Sequence, residues 1–282
     1  LKQLKIGTGP GKLALQQASA HQNLLAAHGV AAGVALFEKN EGLHILPKMQ
    51  AALQTGELDA FLFPLHELPT AQPEGLAITA VSQRADPAAW LILPAQYTVD
   101  NQLFKLKNGA RVGASSALER AQMLHFRPDA IVENTGPDLE ANLEMMRAGG
   151  LDALLANAAQ LQSLPLDDFF MVKFNPVEFV PAPGQGVWAY CCCAGDLETR
   201  RALRLLHHPA VSAATNIERK VLKMLGGQQD LALGTFCEID AAGHYHAHAV
   251  MAPGEGQPLR RTRLSQNTHL SLVENIVKAL TD

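Results

Sequence analysis

Short apolar runs alternate with stretches whose apolar residues recur every three or four positions, which predicts strands and helices in turn. Leu4-Lys5-Ile6 reads as a strand ended by Gly7, and residues 12–28 as a helix with Leu13, Ala14, Ala18, Leu24 and Leu25 mostly on one face. A second strand is expected within 30–37, then a helix over 48–53 with Gly56 as its C-cap. Asp59-Ala60-Phe61-Leu62-Phe63 is continuously apolar after its aspartate, the pattern of a strand covered on both faces in a parallel sheet. Strands near 78–81 and 90–93 follow.

The series then begins again: a strand over 111–113, a helix over 116–126, a strand over 130–132, a helix over 139–148 and a strand over 152–155. Gly56-Glu57-Leu58-Asp59-Ala60-Phe61-Leu62 and Gly150-Leu151-Asp152-Ala153-Leu154-Leu155 share a glycine followed by Leu-Asp-Ala-x-Leu. Each lies downstream of a strand–Gly–helix start, at Gly7 and at Gly113. Two related α/β domains account for the echo, against the simpler alternative of a common helix–strand joint recurring by chance. After Pro181 the texture changes. A strand is expected over 187–193, two helices over 196–224 broken at Pro209, strands over 234–239, 245–250 and 259–264, and a last helix over 270–280. These suggest a small α+β third domain.

Composition narrows the classes. Apolar residues make up 48% of the 282, enough for a sizeable core, and charged residues only 18%. With 23 Lys and Arg against 27 Asp and Glu the net charge is −4, which lacks the basic excess of a nucleic-acid binder. No apolar run approaches the roughly 18–20 residues that span a bilayer. The sequence begins at Leu1 and no signal segment is visible in it. Of the four cysteines, Cys191, Cys192 and Cys193 are consecutive and alternate faces on a strand, and Cys237 stands apart, so they form no disulfide framework. A cytoplasmic location is the expectation. Arginine is absent from residues 1–83.

Several motifs carry candidate chemistry. Gly7-Thr8-Gly9-Pro10-Gly11-Lys12 follows a strand but has neither P-loop nor dinucleotide spacing. A glycine-rich strand-to-helix turn still presents backbone N–H groups that suit an anionic ligand. Ser115 and Ser116 hold the equivalent place in the second unit, where they serve either as a helix cap or as a carboxylate holder. His66-Glu67 follows the apolar strand at its C-terminal end, where α/β sites lie, and Glu67 is a candidate acid/base group there, against the alternative of a plain surface loop. His244, His246 and His248 share one face of a strand and are a weak metal candidate, a solvent-facing strand being the simpler reading.

Taken together, these places resemble one family. Pro181-Ala182-Pro183-Gly184-Gln185-Gly186 is similar to the hinge motif of hydroxymethylbilane synthase, also called porphobilinogen deaminase. So are Gly7-Thr8 with Leu13-Ala14-Leu15-x-Gln17-Ala18, and Val112-Gly113-x-Ser115-Ser116 with Gln122 and Arg127-Pro128-Asp129. Leu68-Pro69-Thr70, Pro73-Glu74-Gly75-Leu76, Asp86-Pro87, Glu218-Arg219 and Leu225-Gly226-Gly227 continue the match in order along nearly the whole chain. The resemblance implies two α/β domains like periplasmic binding protein lobes with a ligand cleft between them, and a small third domain that carries a cofactor. Domain 1 is expected over 1–93 and 180–200, domain 2 over 94–179 and domain 3 over 201–282. It also implies head-to-tail joining of porphobilinogen units on a dipyrromethane held by a loop cysteine.

The departures fall on that chemistry. The cofactor-attachment position holds Gln229, and an amide cannot replace a thiolate, so no dipyrromethane cofactor is expected. The family's Lys-Asp pair is His66-Glu67 here. The arginines that grip substrate carboxylates fall on Gly9, Leu118, Glu119 and, near the next helix, Gly136 and Asn142, with Arg120 one step out of place. A lysine-bearing loop is expected to be shortened to 38–46. The resulting expectation is a non-catalytic homologue that binds a small molecule through Thr8, His66, Glu67, Ser115, Ser116 and Gln185. One alternative is a divergent transferase acting on porphobilinogen or a related small molecule with Glu67 as acid/base. The other is a protein partner of an active synthase.

Overall fold

The computed structural model describes residues 3–9, 11–37, 45–136, 138–161, 166–228, 230–254 and 256–282. The expectation for the 38–46 loop therefore lies largely outside the described residues, as does that for Gln229. The chain opens with β1 (Leu4–Thr8), α1 (Lys12–Ala27), β2 (Ala32–Leu36), α2 (Ile45–Gln54), β3 (Ala60–Pro64), β4 (Leu76–Val81) and β5 (Ala89–Pro94). It continues with β6 (Arg111–Ala114), α3 (Ala117–Phe126), β7 (Ile131–Asn134), α4 (Leu139–Arg147), β8 (Ala153–Asn157), α5 (Ala158–Leu161) and β9 (Phe169–Lys173). The last part is β10 (Trp188–Cys193), α6 (Leu197–Arg204), α7 (Pro209–Met224), β11 (Leu233–Ile239), β12 (Tyr245–Met251), β13 (Arg260–Gln266) and α8 (Leu272–Thr281). Pro209, which separates the two helices, opens α7, where a missing N–H breaks no helical bond. Among the described residues no helix is long and apolar enough to cross a membrane.

The fold class is α/β with a small C-terminal α+β part, as the sequence pattern predicts. The strands form two five-stranded sheets, β2-β1-β3-β10-β4 and β7-β6-β8-β5-β9, and a three-stranded sheet β11-β12-β13. The two larger sheets have the same plan. Three parallel strands (β2, β1, β3 or β7, β6, β8) are followed by an antiparallel one (β10 or β5) and a closing strand (β4 or β9). β10 reaches the first sheet from late in the chain, and its counterpart β5 joins the second sheet. Residues 90–93, expected in the first lobe, thus belong to the second.

Two compact units result: Leu1–Ala85 with Gly184–Asn216, and Asp86–Pro183 with Ile217–Asp282. The chain switch falls at Ala85, earlier than the expected residue 93. The three-stranded sheet groups with the second unit, where Phe236 and Val250 pack with Leu118 of α3 and Val180.

The sequence echo is a repeated joint with a defined job. Asp59 Oδ2 accepts from the Lys5 N–H, and Asp152 Oδ2 from the Arg111 N–H, both at 2.8 Å. The backbone N–H of each aspartate donates in return to the carbonyl of the same partner, at 3.0 and 2.8 Å. Each aspartate therefore satisfies the entry of the central strand beside it. The preceding leucine fills the space that a glycine leaves on that strand. A Cβ at Gly7 would lie 2.5 Å from Leu58 Cδ1, and one at Gly113 would lie 2.9 Å from Leu151 Cδ1. Glycine, leucine and aspartate thus act as one packing unit in both lobes.

Candidate functional site

In the first unit, the chain order β2-β1-β3 reverses direction across β1, and open α/β sheets bind ligands beyond the strand ends at such a reversal. Thr8 ends β1 opposite Leu62 of β3, and its buried hydroxyl donates to the Leu62 carbonyl at 3.3 Å. That bond makes Thr8 a tie between the two strands. β3 runs into a 3-10 turn over Leu65–Glu67. His66 Nε2 lies 3.7 Å from Glu67 Oε1, with the Glu67 side chain exposed. Burial lowers the His66 pKa to about 4, so the imidazole is neutral at pH 7. Its Nδ1 is buried and has no hydrogen-bond partner among the described residues. The pair therefore presents a carboxylate with no permanent cation from its own neighbour.

The hinge segment lies against this turn. Gly184 and Gly186 take φ values of 82° and 78°, a left-handed conformation that side chains resist. A Cβ at Gly184 would stand 3.0 Å from Leu65 Cγ and 3.5 Å from the His66 nitrogen. Leu65 N–H donates to the Val187 carbonyl and Ala85 N–H to the Gly186 carbonyl, each at 2.8 Å. Half-buried Gln185 follows Gly184 in this segment. Of the expected residues, His66 and Glu67 follow β3, Thr8 ends the strand beside it, and Gln185 belongs to the segment whose Gly184 packs on the turn.

In the second unit the two serines act as caps. Ser116 is the N-cap of α3, its hydroxyl accepting from the Glu119 N–H at 3.2 Å. The Glu119 carboxylate returns to accept from the Ser115 N–H at 2.8 Å and the Ser115 hydroxyl at 3.0 Å. This is a capping-box arrangement displaced by one residue. Burial raises the Glu119 pKa, while the bonds from Ser115 and Ser116 pull it down. The carboxylate holder at the start of α3 thus has a carboxylate already in place, supplied by the chain itself.

The other positions where the resemblance puts arginines also serve the fold. Leu118 is buried against Val180 and Phe236. Asn142 is buried and its Nδ2 donates to the Gly136 carbonyl at 2.8 Å, so these two positions bind one another. Arg120 turns to β7, donating to the Val132 carbonyl at 3.2 Å. Arg127 is buried and holds the carbonyls of Leu103, Leu106 and Lys107 as well as Asp129.

The histidine triplet divides. His244 Nδ1 and His246 Nε2 both lie 3.2 Å from Asp240 Oδ2, and His246 Nδ1 is 2.9 Å from the Ser265 hydroxyl. His248 is buried away from that carboxylate's bonds. Among the described residues no group of three His, Cys, Asp or Glu side chains could hold a metal ion. The face the three share is not uniformly open to solvent: His244 is exposed, His246 half-buried and His248 buried on the central strand of the small sheet. Cys237 is buried on β11 with its N–H bonded to Glu218, and all four cysteines are free thiols. Sequence reasoning missed the part played by Glu119, although Ser116-x-x-Glu119 has the spacing of a capping box.

Residues 4–201 match the family described as porphobilinogen deaminase, dipyromethane cofactor binding domain. A porphobilinogen deaminase of Chloroherpeton thalassium is 28% identical over 288 residues, covering 97% of this chain and 90% of the relative. One from Thermus thermophilus is 30% identical over 217 residues, covering 77% and 71%. Among solved structures, the methionine binding protein MetQ matches 77% of this chain and 94% of its own at 14% identity and a TM-score of 0.44. With well over half its length matched, the chain belongs to the porphobilinogen deaminase family.

Proposed function

We propose that this family member binds a small molecule at the strand ends that carry Thr8, His66, Glu67 and Gln185, without running dipyrromethane-dependent polymerisation. The observation that carries the reading is the Glu119 carboxylate seated on Ser115. A substrate carboxylate would meet a like charge there in place of the arginine that the family resemblance calls for. Each charge-assisted bond is worth roughly 1.5–3 kcal/mol, so losing four or five of them removes most of the affinity for a polycarboxylate chain. Gln229 at the attachment position supports the same reading from the sequence. The expected ligand is less acidic than a growing polypyrrole. Treating the purified protein with acidic Ehrlich reagent tests this: no dipyrromethane colour is expected, and its appearance would overturn the reading.

The Glu67 geometry favours a second reading, in which the chain is a divergent transferase using that exposed carboxylate as acid/base. Consumption of porphobilinogen that disappears in Glu67→Gln would sustain it. No consumption by the unaltered protein would exclude it.

A further inference from the structure

His248, left over from the metal reading, points to a different site. It lies on β12 directly opposite Arg263 of β13, and Val250 lies opposite Arg261 in the same ladder. Residues paired across a ladder, and those two apart along a strand, share a face. His248, Arg261 and Arg263 therefore project from one face of the small sheet. They line a cavity of about 300 Å³, with Val177, Glu178 and Thr262 among its other walls.

The polar groups of this cavity are unevenly committed. Arg261 Nη2 donates to the Glu178 carbonyl at 2.8 Å and lies 3.4 Å from its carboxylate, and the guanidinium stands over the Phe126 ring at 5.5 Å. These contacts fix it at the cavity wall. Arg263 has no hydrogen-bond or ion-pair partner among the described residues. His248 is 7% exposed, and its ring also has no hydrogen-bond partner among them. Neither ring nitrogen is both shut off from solvent and without a partner, so the polar edge of the ring is open to the cavity it lines. Burial, then Arg263, hold its pKa below the ordinary histidine value. At pH 7 the ring is neutral and offers one N–H donor and one acceptor.

We propose that this cavity is a binding site for a small oxyanion-bearing metabolite, a carboxylate or a phosphate, held by Arg263 and Arg261 and by a hydrogen bond from His248. Two guanidinium groups against one carboxylate leave a positive balance, and the volume sits at the lower end for small-molecule pockets. The site lies wholly within the second unit and is independent of the reading given above for Thr8, Glu67 and Gln185.

Calorimetric titration of the full chain with inorganic phosphate and, separately, with succinate tests the proposal, with chloride matched for ionic strength. Saturable binding of one of them is expected, together with a shift of the His248 ring resonances on saturation. The probe that binds identifies the anion class. Arg263→Ala, at an exposed position, is expected to weaken binding about tenfold or more. His248→Asn is expected to weaken it less. Unchanged circular dichroism and melting temperature in Arg263→Ala show that the fold is intact. Binding that is absent for both probes, or equal in Arg263→Ala and the unaltered protein, would overturn the proposal.

Discussion

The packing unit shared by the two lobes makes a sharp prediction at Gly113. The residue lies on β6, and its backbone is one that any residue can adopt, so alanine is resisted only by space. Its Cβ would meet Leu154 Cδ1 at 2.8 Å, Leu151 Cδ1 at 2.9 Å and Thr135 Cγ2 at 2.9 Å. Favourable carbon contacts lie near 3.5–4.0 Å, so three neighbours must each retreat by roughly 0.6–1 Å. Leu151 and Leu154 are 1% and 0% exposed, so neither can retreat into solvent. Overpacking of this kind costs about 1–3 kcal/mol. Relief of unfolded-state entropy returns about 0.4–1 kcal/mol, which leaves a net loss of about 1–2 kcal/mol in Gly113→Ala.

Gly33 on β2 is the control, because a Cβ there meets only Gln3, at 3.4 Å and beyond, so Gly33→Ala should be neutral or slightly stabilising. Urea unfolding followed by tryptophan fluorescence suits the comparison. Trp188 lies in the first unit and Trp90 in the second, so a Trp188→Phe background reports on the unit that contains Gly113. Adding Leu151→Ala to Gly113→Ala should recover part of the loss relative to the sum of the two single changes. If Gly113→Ala is as stable as Gly33→Ala, the packing account of the echo is wrong.

Other predictions follow from single contacts. Ser116→Ala removes the α3 cap and should lower stability by about 1 kcal/mol in the same assay, whereas Ser116→Asp should be nearly neutral. His21 is buried and its pKa is lowered to about 4, so between about pH 6.5 and 4 the unfolded chain binds a proton that the folded one does not. Stability should therefore fall as pH drops through that window, by at most about 3 kcal/mol for His21, and be unaffected by it above pH 7. The stability difference between the unaltered protein and His21→Phe should drift by that amount over the window, and a constant difference would refute the assignment. Asp59→Asn and Asp152→Asn should each destabilise the entry of the neighbouring strand, at Lys5 and Arg111, with faster hydrogen exchange of those two amides.

Much of this fold was legible because its signals are local. The apolar run at Phe61–Leu62–Phe63, the Pro209 break and the Leu-Asp-Ala echo all act over a few residues. β9 was not legible: Phe169-Phe170-Met171-Val172-Lys173 forms a part-exposed outer strand without clean alternation, and its partner β5 is far away in sequence. The placement of β5 itself was misjudged because strand exchange between lobes leaves no local mark. At the candidate site, the packing of Gly184 on the turn at Leu65–Glu67 leaves no local mark in the sequence, since 117 residues separate Glu67 from Gly184. The capping bonds of Ser115, Ser116 and Glu119 were within reach of spacing alone. The pairing of Asn142 with Gly136, and the cavity around His248, depend on packing that spacing does not encode.

The central claim is that this chain carries no covalent polypyrrole primer. Intact-mass spectrometry of the protein, purified after expression in cells that make porphobilinogen and then incubated with porphobilinogen, tests it most directly. The account predicts a single species at the unmodified polypeptide mass before and after incubation. A species heavier by two pyrrole units, or a ladder of further additions on incubation, would contradict it.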